Sequence, residues 1–313
     1  MSDRQQFLVR FWGVRGSYPT PGPQTLRHGG NTACVEIQAG GRRLIFDAGS
    51  GIIRLGSELL LNINDTEQLD IALFITHGHG DHLIGFPFFA PLFDARTHIH
   101  LFGPQLAGQG VEQLVTSLMS PPYFPVDLRK LPSHRTFHTV TGEEWIVWRK
   151  GSSVPHMNGY QRETRDHSRR AKDEVKVRTK FTRSHPLDGA VIYRIEYAGH
   201  SVVYATDVEW REGNDPEFLR FVEGADLLIH DAQYTTHDYK QVKQGFGHST
   251  VEMAVEAAQE AHARELILFH HEPTYDDNQL DAMEAEAQRR FPHVRSACEG
   301  MEIDLLEGRS EVG

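Results

Sequence analysis

The sequence predicts an α/β or α+β protein with layered sheets. Three observations carry this. Short apolar, β-rich runs interleave with helically spaced segments along the whole chain. Several runs, such as Ile71-Ala72-Leu73-Phe74-Ile75, are apolar at every position, as in strands buried on both faces. Gly- and Pro-rich turn signals separate them.

The elements follow in order. Phe7 to Trp12 reads as a strand, and Arg15 to Gly30, rich in Gly, Pro and Thr, as a long loop. Ala33 to Gln38 and Arg43 to Phe46 form a hairpin around Ala39-Gly40-Gly41. Asp47-Ala48-Gly49-Ser50-Gly51 is a tight turn, and Ile52 to Leu61 has helical spacing. After the Ile71–Ile75 strand, Leu106 to Leu118 reads as a helix and Trp145 to Trp148 as a strand. Gly151 to Lys180 is polar and basic (Arg162, Arg165, Arg169, Arg170, Lys172, Lys176, Arg178, Lys180) and is expected to be a mobile loop or extended arm. Val191 to Tyr197 and Ser201 to Thr206 form a hairpin around Ala198-Gly199-His200. Leu227 to Ile229 and Leu266 to Phe269 are short buried strands. Val251 to Ala263 is a helix whose start, Ser249 with Glu252 three residues on, reads as a capping box. Asn278 to Phe291 is an amphipathic helix with Leu280, Met283 and Phe291 on one side.

Composition narrows the function. At 313 residues, 39% hydrophobic and 24% charged, the chain reads as one globular domain, 1–313, carrying the basic insertion 151–180. It has no run of 18 apolar residues, so no membrane helix is expected. Met1 to Arg10 lacks the pattern of a signal peptide, and a cytoplasmic location is expected. The two cysteines, Cys34 and Cys298, are far apart and are expected to be small buried apolar residues rather than a disulfide or zinc knuckle. A net charge of −11 argues against binding long nucleic acids through their phosphates. The 19 histidines are an excess of the commonest metal ligand.

Four metal-capable residues fall within six positions, in Thr76-His77-Gly78-His79-Gly80-Asp81-His82, directly after a buried strand. Extended backbone points i, i+2 and i+4 the same way, so His77, His79 and Asp81 share a side, and His82 swings in as the chain turns. Gly78 and Gly80 let the backbone fold close around an ion. Imidazoles and carboxylates suit zinc, with manganese as the alternative. A lone His pair here would read as a surface loop; four ligand types at this spacing do not. Three further candidates stand at strand edges: His185, Asp207 and His270.

This run resembles the HxHxDH motif of metallo-β-lactamase-fold hydrolases. Asp47 in Leu44-Ile45-Phe46-Asp47-Ala48-Gly49 resembles the family's earlier aspartate. Arg194-Ile195-Glu196 through Ala205-Thr206-Asp207, then Phe269-His270-His271, look like later motifs of the ribonuclease Z-like and cyclic-phosphate phosphodiesterase branch. The resemblance runs from about Phe7 to Glu272. It implies a four-layer αββα sandwich of two mixed sheets flanked by helices. It also implies one metal ion on His77, His79 and His185, a second on Asp81, His82 and His270, and Asp207 bridging them. His270, which directly follows the apolar run, is preferred to His271. Asp47 and Asp231 are expected to orient ligand imidazoles; the alternative for Asp47 is a turn-forming role.

Gly247-His248-Ser249-Thr250 resembles the phosphodiesterases' phosphate-touching histidine, and His248 precedes a helix N-terminus that favours an anion. The alternative is a histidine that packs near the cap. Gly85-Phe86-Pro87-Phe88-Phe89 also resembles the phosphodiesterase branch. Asp81 and His248 are the candidate catalytic residues. The expected activity is hydrolysis of a small phosphodiester substrate, with cyclic nucleotides among the candidates, by water activated between two divalent cations. A lactone or thioester hydrolase, an RNA-processing nuclease and a non-catalytic metal-binding protein are the alternatives. Ribonuclease Z carries a long tRNA-gripping arm between the positions matching His185 and Asp207, where this chain has a short hairpin. The cyclic-phosphoribose enzyme of phosphonate breakdown has a Cys-containing zinc site that has no counterpart here. A homodimer that shapes the active-site mouth is a further expectation from the resemblance.

Overall fold

The computed structural model describes residues 6–307 except 65, 107, 160–172, 187–188 and 212. Arg162, Arg165, Arg169, Arg170 and Lys172 therefore lie outside the described residues.

The strands expected from apolar patterning form, with small shifts at their ends. Among them, β1 (Phe7–Gly13), β2 (Cys34–Ala39), β3 (Arg42–Phe46) and β4 (Leu69–Phe74) lie in one sheet, which three strands not expected from the patterning complete: β5 (Thr97–Pro104), β6 (His134–Val140) and β15 (Glu302–Asp304). Its order is β15-β1-β2-β3-β4-β5-β6. The second sheet holds β7 (Glu144–Trp148), β8 (His156–Gly159), β9 (Val175–Thr182), β10 (Ala190–Tyr197), β11 (His200–Ala205), β12 (Leu227–Asp231), β13 (Glu265–Phe269) and β14 (Val294–Ser296), in the order β14-β13-β12-β11-β10-β9-β7-β8.

Each sheet is mixed. β3, β4, β5 and β6 run parallel, as do β11, β12, β13 and β14, while the other pairings are antiparallel. The facing surfaces share one apolar core that includes Phe11, Phe46, Phe74 and Phe102 from the first sheet and Tyr193, Tyr204 and Phe269 from the second. Phe46, Phe74 and Phe102 stack in a row at 4.7–4.9 Å. Helices α1 (Gly51–Leu61) and α2 (Val111–Leu118) cover the outer face of the first sheet. Helices α3 (Pro216–Val222), α5 (Val251–Glu260) and α6 (Asp277–Gln288) cover the second, and α4 (Thr236–Asp238) is a single turn. The result is the expected four-layer αββα sandwich. No helix among the described residues is long and apolar enough to cross a membrane.

Several expectations need correction. The basic stretch 151–180 is not all arm. His156–Gly159 is an edge strand, and Val175–Lys180 lies in β9, paired between β10 and β7. Val175, Val177 and Thr179 are buried, while Lys176, Arg178 and Lys180 alternate outward. Basic composition hid that period of two. Arg178 and Lys180 face Glu196 at 3.7 Å and Glu217 at 3.1 Å. Helix α2 begins at Val111 rather than Leu106, because Gly108 takes a left-handed φ of 78° that a helix cannot hold. The cap of α5 is Thr250, whose hydroxyl accepts from the Met253 N–H at 3.2 Å; the Ser249 hydroxyl donates instead to the Val208 carbonyl at 2.6 Å. That helix stops at Glu260, and α6 ends before Phe291. Cys34 is buried as expected, but Cys298 is only half-buried.

Candidate metal centre

The carboxyl ends of the parallel strands aim at one place, the usual position for ligands in sheets of this kind. β3 delivers Asp47, β4 delivers Thr76 and His77, β11 delivers Asp207, β12 ends on Asp231, and β13 delivers His270. Asp47, Asp207 and His270 each leave their strand through a left-handed residue, with φ of 61°, 58° and 63°. This conformation is costly for side-chain-bearing residues and is most tolerable for Asp, Asn and His. Its recurrence at three strand ends of one site is backbone strain that packing must hold in place.

All seven expected ligands come together. His77, His79 and His185 bring ligand atoms within 4.8 Å of one another, and so do Asp81, His82 and His270. In the first group His185 Nε2 lies 3.0 Å from His79 Nδ1. In the second, His82 Nε2 lies 3.2 Å from His270 Nε2, and His270 Nε2 lies 3.2 Å from Asp81 Oδ2. Ligand atoms bound tetrahedrally at 2.0–2.1 Å to one zinc ion would be about 3.3 Å apart, so both spacings suit a shared cation. Asp207 stands between the groups and divides its oxygens. Oδ1 faces His77 at 3.5 Å and His185 at 3.9 Å, while Oδ2 faces His82 at 3.2 Å and His270 at 3.4 Å. His271 turns away: its Nε2 meets the Ala297 carbonyl at 3.0 Å.

Surrounding residues fix which nitrogen points inward. Asp47 Oδ2 accepts from His82 Nδ1 at 2.8 Å, so His82 Nε2 faces the cluster. Asp47 is itself held by the Thr76 N–H at 2.8 Å and the Tyr204 hydroxyl at 3.0 Å. The Thr76 hydroxyl donates to Asp47 at 3.0 Å, which leaves its oxygen to accept from His77 Nδ1, also at 3.0 Å. His77 Nε2 is then a bare lone pair, buried and without a hydrogen-bond partner. The His185 Nδ1 proton goes to the Gly247 carbonyl at 3.0 Å. Asp231 does not hold a ligand imidazole in the way expected, since His270 Nδ1 is 3.8 Å away. It accepts instead from His248 Nδ1 at 2.7 Å and from the backbone of Asp207 and Ser249 at 3.0 and 3.1 Å. Asp207, Asp231, His248 and His270 thereby form a further close group.

The electrostatics divide the site. Burial lowers the pKa of His77, His79 and His185 below the ordinary histidine value, against the pull of Asp207, so these three are neutral imidazoles. Burial also opposes charge on His82 and His270, but there the carboxylates win. Asp207, Asp81 and Asp47 raise His82, and Asp207, Asp81 and Asp231 raise His270 to about 9. Asp81 and Asp207 are pushed below the usual carboxylate range: burial opposes the shift, and the neighbouring histidines outweigh it.

The donor set fits divalent cations. Four buried carboxylates, Asp47, Asp81, Asp207 and Asp231, lie in or against the histidine cluster, and buried carboxylates call for compensating positive charge. The bare His77 nitrogen supplies the matching unsatisfied donor.

Sequence reading missed three residues. The Ser17 N–H donates to Asp81 Oδ2 at 2.7 Å, and the Gln233 amide donates to the Ser17 hydroxyl at 3.1 Å. Glu209 is a buried carboxylate two residues beyond Asp207. Nothing in composition marks Ser17 or Gln233, whereas the Asp-x-Glu spacing at 207–209 was readable.

A family model described as the beta-lactamase superfamily domain matches residues 42–271, which is most of the chain. The chain belongs to that superfamily, and its similarities lie with the ribonuclease Z-like members. Ribonuclease Z of Pyrococcus furiosus is 28% identical over 288 residues, covering 85% of this chain and 87% of the relative. Among solved structures, the metallo-beta-lactamase fold protein YhfI from Bacillus subtilis superposes with a TM-score of 0.65 at 20% identity, covering 96% of this chain and 100% of that one. A diphosphatase from the PhnP family superposes with a TM-score of 0.61 at 16% identity, covering 95% and 97%. The last two show the shared fold.

Proposed function

We propose that the protein is a binuclear phosphodiester hydrolase acting on a small phosphodiester, with cyclic phosphodiesters among the candidates. One cation would be held by His77, His79 and His185, and the other by Asp81, His82 and His270, with Asp207 placed to serve both. The observation that carries this is the division of the Asp207 oxygens between two ligand groups. Two bound divalent ions, zinc by the predominance of imidazole, supply activation of water and neutralise charge on a phosphate.

The chain's own residues do the rest. Asp231 orients His248 through Nδ1, which leaves Nε2 to hold or donate a proton at the leaving oxygen. The Ser17 N–H keeps Asp81 turned toward His270. Asp47 fixes the His82 ring. The small-substrate reading is supported by the net charge of −11 and by the plain β10–β11 hairpin, joined at Ala198-Gly199, between His185 and Asp207. A cytoplasmic location accords with two free cysteines.

The name of the Pyrococcus relative favours a second reading, cleavage of an RNA phosphodiester. The test is turnover of metal-loaded protein on bis-p-nitrophenyl phosphate, cyclic nucleotides, a precursor tRNA and a lactone panel. Turnover of the first two is expected. Cleavage of the tRNA alone would select the second reading, and lactone hydrolysis alone would remove both.

A further inference from the structure

The segment that carries His248 is fastened by two carboxylates: Asp231, which accepts from His248 Nδ1 and the Ser249 N–H, and, holding the residues just before them, Glu209. Its carboxylate is 1% exposed and gathers donors from three directions. Oε1 accepts from the Tyr239 hydroxyl at 2.7 Å and the Gly245 N–H at 2.6 Å, and Oε2 from the Gly247 N–H at 3.0 Å. Arg211, half-exposed, closes over the group, with Nε 3.0 Å from Oε1. Gly245 and Gly247 both have left-handed φ, 93° and 92°, and the turn before them, Tyr239–Lys243, is a π-helix.

What Glu209 holds is the junction of the two functional groups. Gly247 is pressed against His185, so a Cβ there would stand 2.4 Å from His185 Nδ1 and 2.1 Å from Pro186. Its carbonyl takes the His185 Nδ1 proton, which leaves Nε2 for the His77/His79 side. The next residue is His248, bound to Asp231. One residue, Gly247, thus sets the tautomer of a ligand imidazole through its carbonyl and leads directly into the proton donor, and its N–H is anchored on Glu209.

We propose that Glu209 is a positioning residue. By clamping the Gly245–Gly247 backbone, it presets both His185 for a divalent cation and His248 for the leaving oxygen. The proposal rests on reading His77, His79 and His185 as a metal-holding group.

The experiment is Glu209→Gln. The amide keeps the volume but puts an N–H₂ opposite either the Gly245 or the Gly247 N–H, so two donors face each other and the Gly245–Gly247 backbone must shift. Metal affinity is measured first, by Co2+ titration in competition with a chelator, followed by its visible spectrum. Outer supports of a ligand histidine typically change metal affinity by roughly 10–100-fold, and a loss in that range at one of two Co2+ equivalents is expected. Turnover is then compared for a good leaving group, p-nitrophenolate, and a poor one, an alkoxide. The fall in kcat is expected to be larger for the alkoxide, which needs the proton from His248.

Wild-type protein that binds no Co2+ would remove the metal reading on which the proposal stands. Wild-type binding with unchanged affinity, spectrum and leaving-group dependence in a folded Glu209→Gln variant would overturn the role of Glu209 alone. If that variant does not fold, Tyr239→Phe removes one donor without a clash. A several-fold loss in the same direction then supports the clamp, and wild-type behaviour overturns it.

Discussion

His77, His79 and His185 meet as three imidazoles that burial keeps neutral, whereas His82 and His270, a few ångströms away, are pressed by carboxylates into holding protons. The residue types are nearly the same; the difference lies in where the aspartates stand. Asp47 and Asp81 serve the second group, and Asp207 touches both but makes its closer approaches to His82 and His270. A cation can enter the first group without a proton to displace, while entry to the second must expel protons, at least from His270 with its pKa of about 9. On the proposed function, the two groups are therefore expected to bind cations with unequal affinities.

The strongest way to break this comparison is Asp207→Ala. It removes the carboxylate common to both groups, and turnover is expected to fall by a factor on the order of 10³ or more, with loss of the second metal ion measured by elemental analysis. Retained activity would contradict the shared role. Asp47→Asn touches one side only. A roughly 10–100-fold weaker second ion with an unchanged first is expected from metal competition, because the His82 ring loses its anionic partner.

The pH dependence sharpens the contrast further. Between pH 8 and 7, affinity of the second group should drop about tenfold for each proton displaced, while the first group barely changes. The sign for metal-free stability follows from the raised His270 value. Its contribution is fully present below about 6.5 and is lost as pH rises through about 9. The melting temperature of the metal-free protein should therefore decline over that window, and saturating metal should abolish the decline. The smallest expected effect lies outside both groups. Thr250→Ala removes the α5 cap at a cost of ~1 kcal/mol in global stability and leaves the two metal affinities unequal as before.

Much of this centre could be read from the sequence. The 77–82 run carried four ligands at a spacing that only extended backbone followed by a turn explains, and Asp207 and His270 stood directly after apolar runs. His185 was harder, since its partner Gly247 lies 62 residues away. Strand β9 was misread because Lys176, Arg178 and Lys180 dominate its composition, although Val175, Val177 and Thr179 mark its buried face. The target of Asp231 was also misassigned: that it serves His248 rather than a ligand depends on ångström-scale placement of β12 against the Gly247 segment. The Ser17 N–H is a backbone group, and its role follows from a loop path that no residue type encodes.

The left-handed exits at Asp47, Asp207 and His270 bear on any attempt to transplant this chemistry. Copying the seven side chains onto the strand ends of another parallel sheet without these exits would send Asp207 and His270 along ordinary extended trajectories, and would leave His82 without the Asp47 that orients it. A successful graft would have to import the three hooks in the main chain and enough surrounding framework to keep them bent. In this molecule the instructions for gathering ions are written as much in backbone torsion as in side-chain identity.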